Sequence, residues 1–400
     1  MKYDFTSIID RRGKDAVSVD AMGSGGAAPE LPKDGFTPIP MWVADMSFPT
    51  CPAIPAALKA RADHALYGYF QAPEKYYRSI INWQRARNGV RGLEAKHIGF
   101  ENGVLGGVLS ALSVLCPRGG EVLVHSPTYI GFTSSLENAG YHLVHSPLVK
   151  DEANIWRMDL ADMEEKLAKR NIHAMIFCSP HNPTGRVWER EEIEAVAALC
   201  EKYDVYLVSD EIWSDIILSG RHIPTQSVAG LKERTVALYA PSKTFNLAGL
   251  VGSYHVIYND RLRHLVRKAG SVSHYNNGNV LSMHALMAGY SCEGALWVEE
   301  LRQVIRENVD FACDFIGENF PGVTLSRPQG TYMLFLDCTE WCQSHGVTID
   351  EVIRRGWEVG VAWQDGRPFH GPCHIRMNLA LPTARVKEAF RRLKEYVFHS

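Results

Sequence analysis

The sequence lacks a long apolar run, a strong net charge and a metal-binding spacing. The 400 residues carry a net charge of −3 at pH 7, so no basic field favours a nucleic-acid partner. No stretch reaches the ~18 apolar residues that a membrane helix requires. The start, MKYDFTSIIDRRGKD, has no apolar segment of signal-peptide length. The 16 histidines show neither HxH nor HExxH spacing, so we predict no metal site.

The spacing of the cysteines argues against disulfides. Their number is odd and no CxxC pair occurs, which excludes the usual zinc-ligand and redox spacings. Cys116 and Cys178 lie inside apolar segments. We therefore expect reduced core thiols in a cytoplasmic protein. The cysteines are Cys51, Cys116, Cys178, Cys200, Cys292, Cys313, Cys338, Cys342 and Cys373.

Short apolar runs alternate with helical patterns from about residue 95 onward. Apolar residues make up 46% and charged residues 22% of the chain, a balance typical of soluble globular proteins. Near-continuous apolar strands separated by helices predict an α/β fold with a mostly parallel sheet covered by helices. The strand candidates are EVLVHSP, YHLVHSPL, HAMIFCSP, VYLVSDE, TVALYAPS and GSYHVIYND.

The pattern predicts three parts along the chain. Residues 20–40 are rich in Gly, Ala and Pro, which indicates a mobile loop or extended arm rather than a core element. After about residue 290 a long amphipathic helix, two strands and further helices indicate a smaller α+β domain. We expect an N-terminal segment over 1–48 that joins the small domain, a large domain over 49–290 and the small C-terminal domain over 291–400.

Polar and aromatic residues follow several of the predicted strands. Lys243 follows TVALYA, Asp210 ends VYLVSD, and Asn182 follows HAMIFCSP in the turn HNPTG. Tyr129 follows EVLVHSP, and Val104 opens the helix VLGGVLSALSVL. We place these residues in five consecutive βα units, and ligands of doubly wound sheets bind at the carboxyl ends of the strands. The five groups are therefore expected to converge on one crevice.

The chemistry of these five groups fits one ligand. A lysine amine forms a Schiff base with an aldehyde. A buried carboxylate keeps a basic ring nitrogen protonated, which makes the ring an electron sink. An amide donates to a phenolic oxygen, a tyrosine stacks on the ring, and a helix N-terminus binds phosphate. These requirements describe pyridoxal 5′-phosphate (PLP), which we predict as the cofactor.

Several motifs carry a family resemblance over essentially the whole chain. SPHNPTGRVW, SDEIWSDI and APSKTFNLAGL resemble the fold-type I PLP-dependent enzymes of the aminotransferase class I/II group. PMWVADMSF, YGYF, FENGVLGGV, SPTYIGF, PQGTYMLFLD and HIRMNLALP resemble its MalY/PatB branch, the cystathionine or cysteine-S-conjugate β-lyases. The resemblance implies the fold-type I architecture, a large domain with a mostly parallel sheet plus a smaller α+β domain.

The resemblance also implies how each residue contacts the cofactor. Lys243 corresponds to the Schiff-base lysine, Asp210 to the partner of the ring nitrogen and Asn182 to the partner of the phenolic oxygen. Tyr129 corresponds to the tyrosine that stacks on the ring. The phosphate contacts implied are the backbone N–H groups of Val104 and Leu105, the Ser242 hydroxyl, and Tyr69 from a partner subunit.

The same resemblance implies the substrate contacts and a homodimer. Arg376 matches the arginine that binds the substrate α-carboxylate through a bidentate fork, which a lysine could not copy. Tyr69 makes sense as a ligand only if it reaches a neighbouring subunit, although YGYF could equally be core aromatics. Trp42, Trp213 and Tyr332 either wall the substrate pocket or fill the core, and the sequence leaves both readings open.

Three positions depart from the family pattern. Trp213 stands where the MalY/PatB branch usually has His, and Ala240 where many aminotransferases have a phosphate-binding Ser. Ser18-Val19-Asp20 replaces the usual Lys-Trp-Asp and precedes the Gly-rich segment. Trp213 leaves no expected hydrogen bond to the phenolic oxygen of the cofactor from that position, the change at Ala240 suits the lyase branch, and the changed N-terminal arm bears on substrate preference.

Three functions are compatible with the sequence. The first is β-elimination from an L-amino acid with a Cβ–S bond, in which Lys243 takes the Cα proton and Lys243 or Tyr129 protonates the leaving thiolate. The second is transamination, in which Lys243 moves the same proton without breaking a Cβ bond. The third is a PLP-fold regulator that senses a ligand and contacts a protein partner, for which the sequence supplies no DNA-binding module.

Overall fold

The computed structural model describes residues 1–273 and 277–399. The strands are β1 Ile39–Pro40, β2 Ile98–Glu101, β3 Glu121–Ser126, β4 His142–Lys150, β5 Trp156–Met158, β6 Ile172–Cys178, β7 Tyr206–Asp210, β8 Thr235–Tyr239, β9 Ser253–Val256, β10 Met333–Asp337, β11 Val361–Ala362, β12 Gln364–Asp365 and β13 His374–Asn378. The helices are α1 Val17–Asp20, α2 Ala53–Asp63, α3 Glu74–Asn88, α4 Val104–Leu115, α5 Ile130–Asn138, α6 Leu160–Lys169, α7 Arg190–Lys202, α8 Asp260–Ser273, α9 Val280–Gly289, α10 Cys292–Asn319, α11 Thr339–His345, α12 Ile349–Glu358 and α13 Thr383–Tyr396.

An eight-stranded sheet forms the centre of the larger part, in the order β2-β9-β8-β7-β6-β3-β4-β5. Strands β3, β4, β6, β7 and β8 run parallel, whereas β9 is antiparallel to both its neighbours and β5 is antiparallel to β4. The predicted α/β fold with a mostly parallel sheet is therefore confirmed.

The central strands are buried on both faces because helices cover the sheet. Every residue of β8 is buried, and so is every residue of β6 except His173. Unbroken apolar runs such as VALY and AMIFC suit this environment, since alternate side chains point to opposite faces and both faces are dry. The sheet thus gives a rigid support for the loops at its carboxyl edge.

The prediction of five consecutive βα units is wrong. Strands β4 and β5 intervene between the strand that precedes Tyr129 and the strand that precedes Asn182. They add to the outer side of β3, whereas β6 pairs with its inner side. This reversal of strand order opens a crevice at the carboxyl ends, which is where ligands bind in such sheets.

A smaller sheet lies in the C-terminal part. β10, β13 and β12 form it, and β13 is antiparallel to both neighbours. Helix α10 packs Trp297, Leu301 and Ile305 into the core, a spacing of four residues that keeps them on one face. The division of the chain at residues 49 and 291 stays a prediction.

The 20–40 segment contributes to the core, contrary to expectation. Ile39 is fully buried and β1 pairs in parallel with β11. Met22 is buried against Trp42 and Ala362. The segment is mostly turns between residues 21 and 38, as its Gly and Pro content predicts, but its few apolar side chains anchor it to the C-terminal part.

Membrane spans, metal clusters and disulfides are all missing from the part of the chain that the structure describes. None of its helices combines the length and apolar character needed to cross a membrane. No group of three or more of its His, Cys, Asp or Glu side chains is arranged to hold a metal ion. All nine cysteines fall within the described ranges and are free thiols.

Candidate active site

A cavity of about 290 Å³ lies at the carboxyl ends of the central strands. It is the place where the residues of βα loops meet, because the strands that carry them run in the same direction. The residues predicted from sequence that line it are Val104, Leu105, Tyr129, Asn182, Asp210, Trp213, Ser242 and Lys243.

Lys243 lies in the turn that follows β8 and points into the cavity. Its Nζ donates a 2.8 Å hydrogen bond to the Ala44 carbonyl oxygen and lies 5.7 Å from the centre of the Trp213 ring. Burial, helped by the positive charge of Arg376, lowers the pKa of Lys243 to about 8. The amine is therefore far easier to deprotonate than an exposed lysine.

Asp210 ends β7 and is buried beneath the cavity. Its Oδ1 accepts a 3.1 Å hydrogen bond from the backbone N–H of Ile212. Burial raises the pKa of Asp210 to about 7, against the lowering effects of that hydrogen bond and of Lys243. A carboxylate in this position is stabilised by any cationic or N–H-bearing ring placed against it.

The N-terminus of α4 forms another wall of the cavity. Gly103, at its N-cap, has a φ of 77°. A Cβ there would meet no atom within 4 Å, so backbone conformation rather than packing requires this glycine. The first N–H groups of a helix have no partner inside the helix, so those of Val104 and Leu105 suit an anion.

Arg376 lies on β13 of the smaller sheet, and its side chain contacts Asn182, which follows β6 of the larger sheet. One terminal nitrogen donates to Asn182 Oδ1 at 3.2 Å, and the other donates to Gln364 Oε1 at 2.5 Å and to the Trp42 carbonyl at 3.0 Å. The Phe369 ring lies 4.4 Å from the guanidinium carbon. The Nε atom is buried without a hydrogen-bond partner.

Burial lowers the pKa of Arg376 to about 10, so the group keeps its charge at neutral pH. A buried guanidinium with an unpartnered Nε is a suitable receptor for a carboxylate.

Tyr129 follows β3 and is half-buried at the cavity wall. A Cβ on Gly131 would lie 2.4 Å from the tyrosine ring, so this glycine makes room for the ring. Burial raises the pKa of Tyr129, which keeps its hydroxyl protonated. The side chain thus offers both an aromatic face and a proton donor.

Four predicted site residues lie outside the cavity lining, and Arg376 is one of them. Tyr69 is fully exposed, with a relative exposure of 111%. The Trp42 indole packs with Met22 and donates to the Ser18 carbonyl at 2.9 Å, so only its own carbonyl faces Arg376. Tyr332 is buried; its ring packs edge-on against Trp213, and its hydroxyl donates to the Ala44 carbonyl at 3.1 Å.

Sequence reasoning missed the backbone of residues 42–46. The carbonyl of Ala44 accepts from Lys243 and Tyr332, that of Trp42 from Arg376, and those of Val43 and Asp45 from Asn378. Carbonyl oxygens of one short segment therefore hold Lys243, Tyr332 and Arg376. Such oxygens carry no side-chain signature, so only the family likeness of PMWVADMSF pointed to this segment.

The arrangement suits a phosphorylated aromatic aldehyde with a basic ring nitrogen. Lys243 supplies an amine with a lowered pKa and Asp210 a carboxyl group that gains from a cationic partner. Helix α4 presents its N-terminus on another side of the cavity, and Ser242 lines it as well. The described residues therefore fit PLP on grounds of charge and geometry.

Comparisons with known proteins agree with this geometry. The family model described as aminotransferase class I and II matches residues 39–393. Cystathionine beta-lyase PatB of Bacillus subtilis is 33% identical over 365 residues, which cover 89% of this chain and 92% of that protein. Protein MalY of Escherichia coli is 29% identical over 396 residues, which cover 96% of each chain. The solved PLP-bound C-S lyase from Staphylococcus hominis has a TM-score of 0.89 and 27% identity, covering 100% of this chain and 99% of that one.

Proposed function

The chain belongs to the aminotransferase class I and II family, and we propose that it is a PLP-dependent carbon–sulfur β-lyase. Its substrates are L-cystathionine or other L-cysteine S-conjugates, which it converts with one water molecule to a thiol, pyruvate and ammonia. The C-S lyase and cystathionine β-lyase names of its relatives support this reaction. The observation that carries the proposal is Lys243 and Asp210 facing one cavity with opposite pKa shifts.

The cofactor and Lys243 have different roles in the reaction. When bound, PLP supplies an electron sink for the pair left by the broken Cα–H bond. Lys243 takes the Cα proton, and its pKa of about 8 leaves part of the amine neutral near pH 7. Asp210 would hold the ring nitrogen in its protonated form, and Asn182 would donate to the phenolic oxygen.

Arg376 and Tyr129 orient the substrate and complete the elimination. Arg376 binds the α-carboxylate, for which its unpartnered Nε is available. The thiolate leaves from Cβ and receives a proton from the Lys243 ammonium or from Tyr129, whose raised pKa keeps its hydroxyl protonated. Trp213 borders the cavity, and sulfur packs well on an aromatic ring.

The experiment is a product assay on the purified protein. L-cystathionine and S-methyl-L-cysteine are supplied separately, and pyruvate and free thiol are quantified. Equal amounts of both products establish the β-lyase reaction. Amino-group transfer to an added keto acid, with no thiol released, would overturn the proposal in favour of transamination, which needs the same lysine.

We also propose that the protein is a cytoplasmic homodimer. The segment around Tyr69 supports the dimer, since Leu66, Tyr67 and Tyr69 are all exposed and a monomer would leave these side chains in water. In the dimer Tyr69 contacts the phosphate of the cofactor bound by the partner subunit. The free cysteines support a reducing compartment. Light scattering coupled to size-exclusion chromatography measures the molecular mass in solution. A monomer at the assay concentration would contradict the proposed dimer.

A further inference from the structure

Glu211 follows Asp210 in sequence and carries a second buried carboxylate. Its side chain has a relative exposure of 0%. Successive side chains along an extended chain point in opposite directions, so Asp210 faces the cavity and Glu211 faces the interior behind it. The two carboxylates therefore lie on the two sides of one stretch of backbone.

Each oxygen of Glu211 is hydrogen-bonded. Oε1 accepts from the Ser209 hydroxyl at 3.0 Å, the Thr225 hydroxyl at 2.7 Å and the Thr225 backbone N–H at 3.1 Å. Oε2 lies 2.7 Å from His222 Nε2 and accepts from the Tyr239 hydroxyl at 2.7 Å. These donors come from β7, the end of β8 and the loop between them.

These hydrogen bonds keep the Glu211 carboxylate ionised. Burial alone would raise the pKa of Glu211, but the hydrogen bond and charge of His222, with the hydroxyls of Tyr239 and Thr225, hold the pKa below its usual value. A glutamine in this place could not accept from all of these groups, because its amide nitrogen is itself a donor. The pocket is therefore built to hold a carboxylate, which places a negative charge next to Asp210.

The charge of Glu211 acts on Asp210. Burial is the main cause of the raised pKa of Asp210, and the charge of Glu211 raises it further, against the effect of Lys243. The other titratable groups that face Asp210 are Tyr129 and Cys178, whose own pKa values respond to it. Around Glu211 the titratable neighbours are His222 and Tyr239. Of all these groups, Glu211 is the one held as an anion behind Asp210.

We propose that Glu211 is a positioning residue with a fixed negative charge, which His222 stabilises. This charge strengthens the interaction by which Asp210 keeps the ring nitrogen of the cofactor protonated. The inference rests on the proposed cofactor but not on which reaction follows. An anion behind Asp210 favours the protonated ring over the neutral ring, so the electron sink stays available to higher pH. Glu211 does this without touching cofactor or substrate.

Bound cofactor is first confirmed in the holoenzyme by its absorbance. The test is then a pH titration of holoenzyme loaded with PLP that carries ¹⁵N in its ring, because the ¹⁵N chemical shift reports the protonation of the ring nitrogen itself. Glu211→Gln keeps the approximate shape and removes the charge, so the pH midpoint of this signal should fall by roughly one unit. Tyr239→Phe removes one hydrogen bond to the same carboxylate and keeps the charge, so its midpoint should stay at the wild-type value while its melting temperature falls.

A second pair of variants covers the case in which Glu211→Gln does not fold. The double variant Glu211→Gln/His222→Asn replaces the buried pair by two neutral amides and should lower the midpoint in the same way. His222→Asn alone weakens the hold on the Glu211 charge, so its midpoint should lie between those of the wild type and the double variant.

An unshifted midpoint in folded Glu211→Gln, or in the double variant, would overturn the inference and leave the proposed lyase standing. Absence of any cofactor band in the wild-type protein would overturn both.

Discussion

Lys243 owes its lowered pKa to its buried surroundings, in addition to the amine that any lysine carries. Most lysines of a protein lie in water with an ordinary pKa. Here burial and the nearby Arg376 lower the pKa of Lys243 to about 8. The sequence predicted the position of this lysine at a strand end, but the lowered pKa depends on Arg376, which lies 133 residues further on (243 to 376) and on the other sheet.

Lys243→Ala is expected to abolish pyruvate release, because the substitution removes both the covalent anchor and the base. Loss of general-base catalysis alone lowers rates by about 10²–10⁴-fold, and the ~420 nm band of the bound cofactor should disappear with it. Lys268→Ala, at an exposed position of α8, is the matched control and should behave as wild type. Full activity in Lys243→Ala would remove the lysine from the mechanism.

Arg376→Lys should raise KM for the amino-acid substrate more than it lowers kcat. A lysine keeps the charge but cannot form the bidentate fork. It would also lose the hydrogen bonds that Arg376 donates to Asn182 and Gln364. Loss of such a charge-assisted contact costs about 1.5–3 kcal/mol, or roughly 10- to 100-fold in kcat/KM. Steady-state kinetics measure the split; an unchanged KM would mean that another group binds the α-carboxylate.

Asp210 should make the stability of the cofactor-free protein depend on pH. Its pKa rises from 3.8 to about 7 on folding, so its contribution is fully present below pH 3.8 and is lost as pH rises through 7. The loss amounts to about 4 kcal/mol at most. Asp210→Asn should therefore flatten the pH dependence of urea unfolding between about pH 4 and pH 7. An equal slope in wild type and variant would show that Asp210 is ionised throughout.

At the scale of elements, the start of α4 decides whether an anion can bind. The helix begins at Val104 because Gly103 turns the chain with a positive φ of 77°, which bulkier residues adopt only with strain. The apolar helix VLGGVLSALSVL was predictable from its pattern. The direction of its first N–H groups was not, since that depends on how α4 packs beneath the sheet.

Gly103→Ala should weaken PLP binding by forcing the turn before α4 to change. A backbone with φ 77° and ψ 158° is essentially confined to glycine and costs an alanine about 1–3 kcal/mol, so we expect a roughly 5- to 150-fold higher dissociation constant for PLP. Gly317→Ala is a suitable control, because Gly317 lies inside α10 without a positive φ, and a Cβ added there would meet no atom within 4 Å. The control should be neutral or slightly stabilising. Spectroscopic titration of the cofactor-free protein with PLP measures the dissociation constant of each variant.

At the scale of the whole molecule, the site depends on contacts between distant parts of the chain. The backbone of residues 42–46 receives hydrogen bonds from Lys243, Asn378 and Arg376. Arg11 pairs with Asp45 at 2.5 Å, which ties the N-terminal segment to the same place. Movement of either segment would therefore change the surroundings of Lys243.

Subunit complementation tests the proposed dimer at this scale. Lys243→Ala and Tyr69→Ala should each be impaired alone. When the two are co-expressed, a mixed dimer contains one site with an intact Lys243 and an intact Tyr69 from opposite chains. We expect activity to return in the mixture above the sum of the two separate variants, measured as pyruvate release. No recovery in a verified mixed dimer would show that Tyr69 serves its own subunit.

The α/β fold, the strands of the small C-terminal sheet and the residues at the strand ends could be predicted from the amino-acid sequence. They follow from local patterns, since apolar periodicity and turn residues are set by neighbours in the chain. The position of β4 and β5 outside the series of site-bearing strands, and the burial of Met22 and Ile39, depend instead on tertiary contacts. The same holds for the Trp42 ring, which turns away from the site, and for the buried charge of Glu211. Pairing order, burial and pKa arise from segments far apart in sequence, and no local pattern encodes which of them meet.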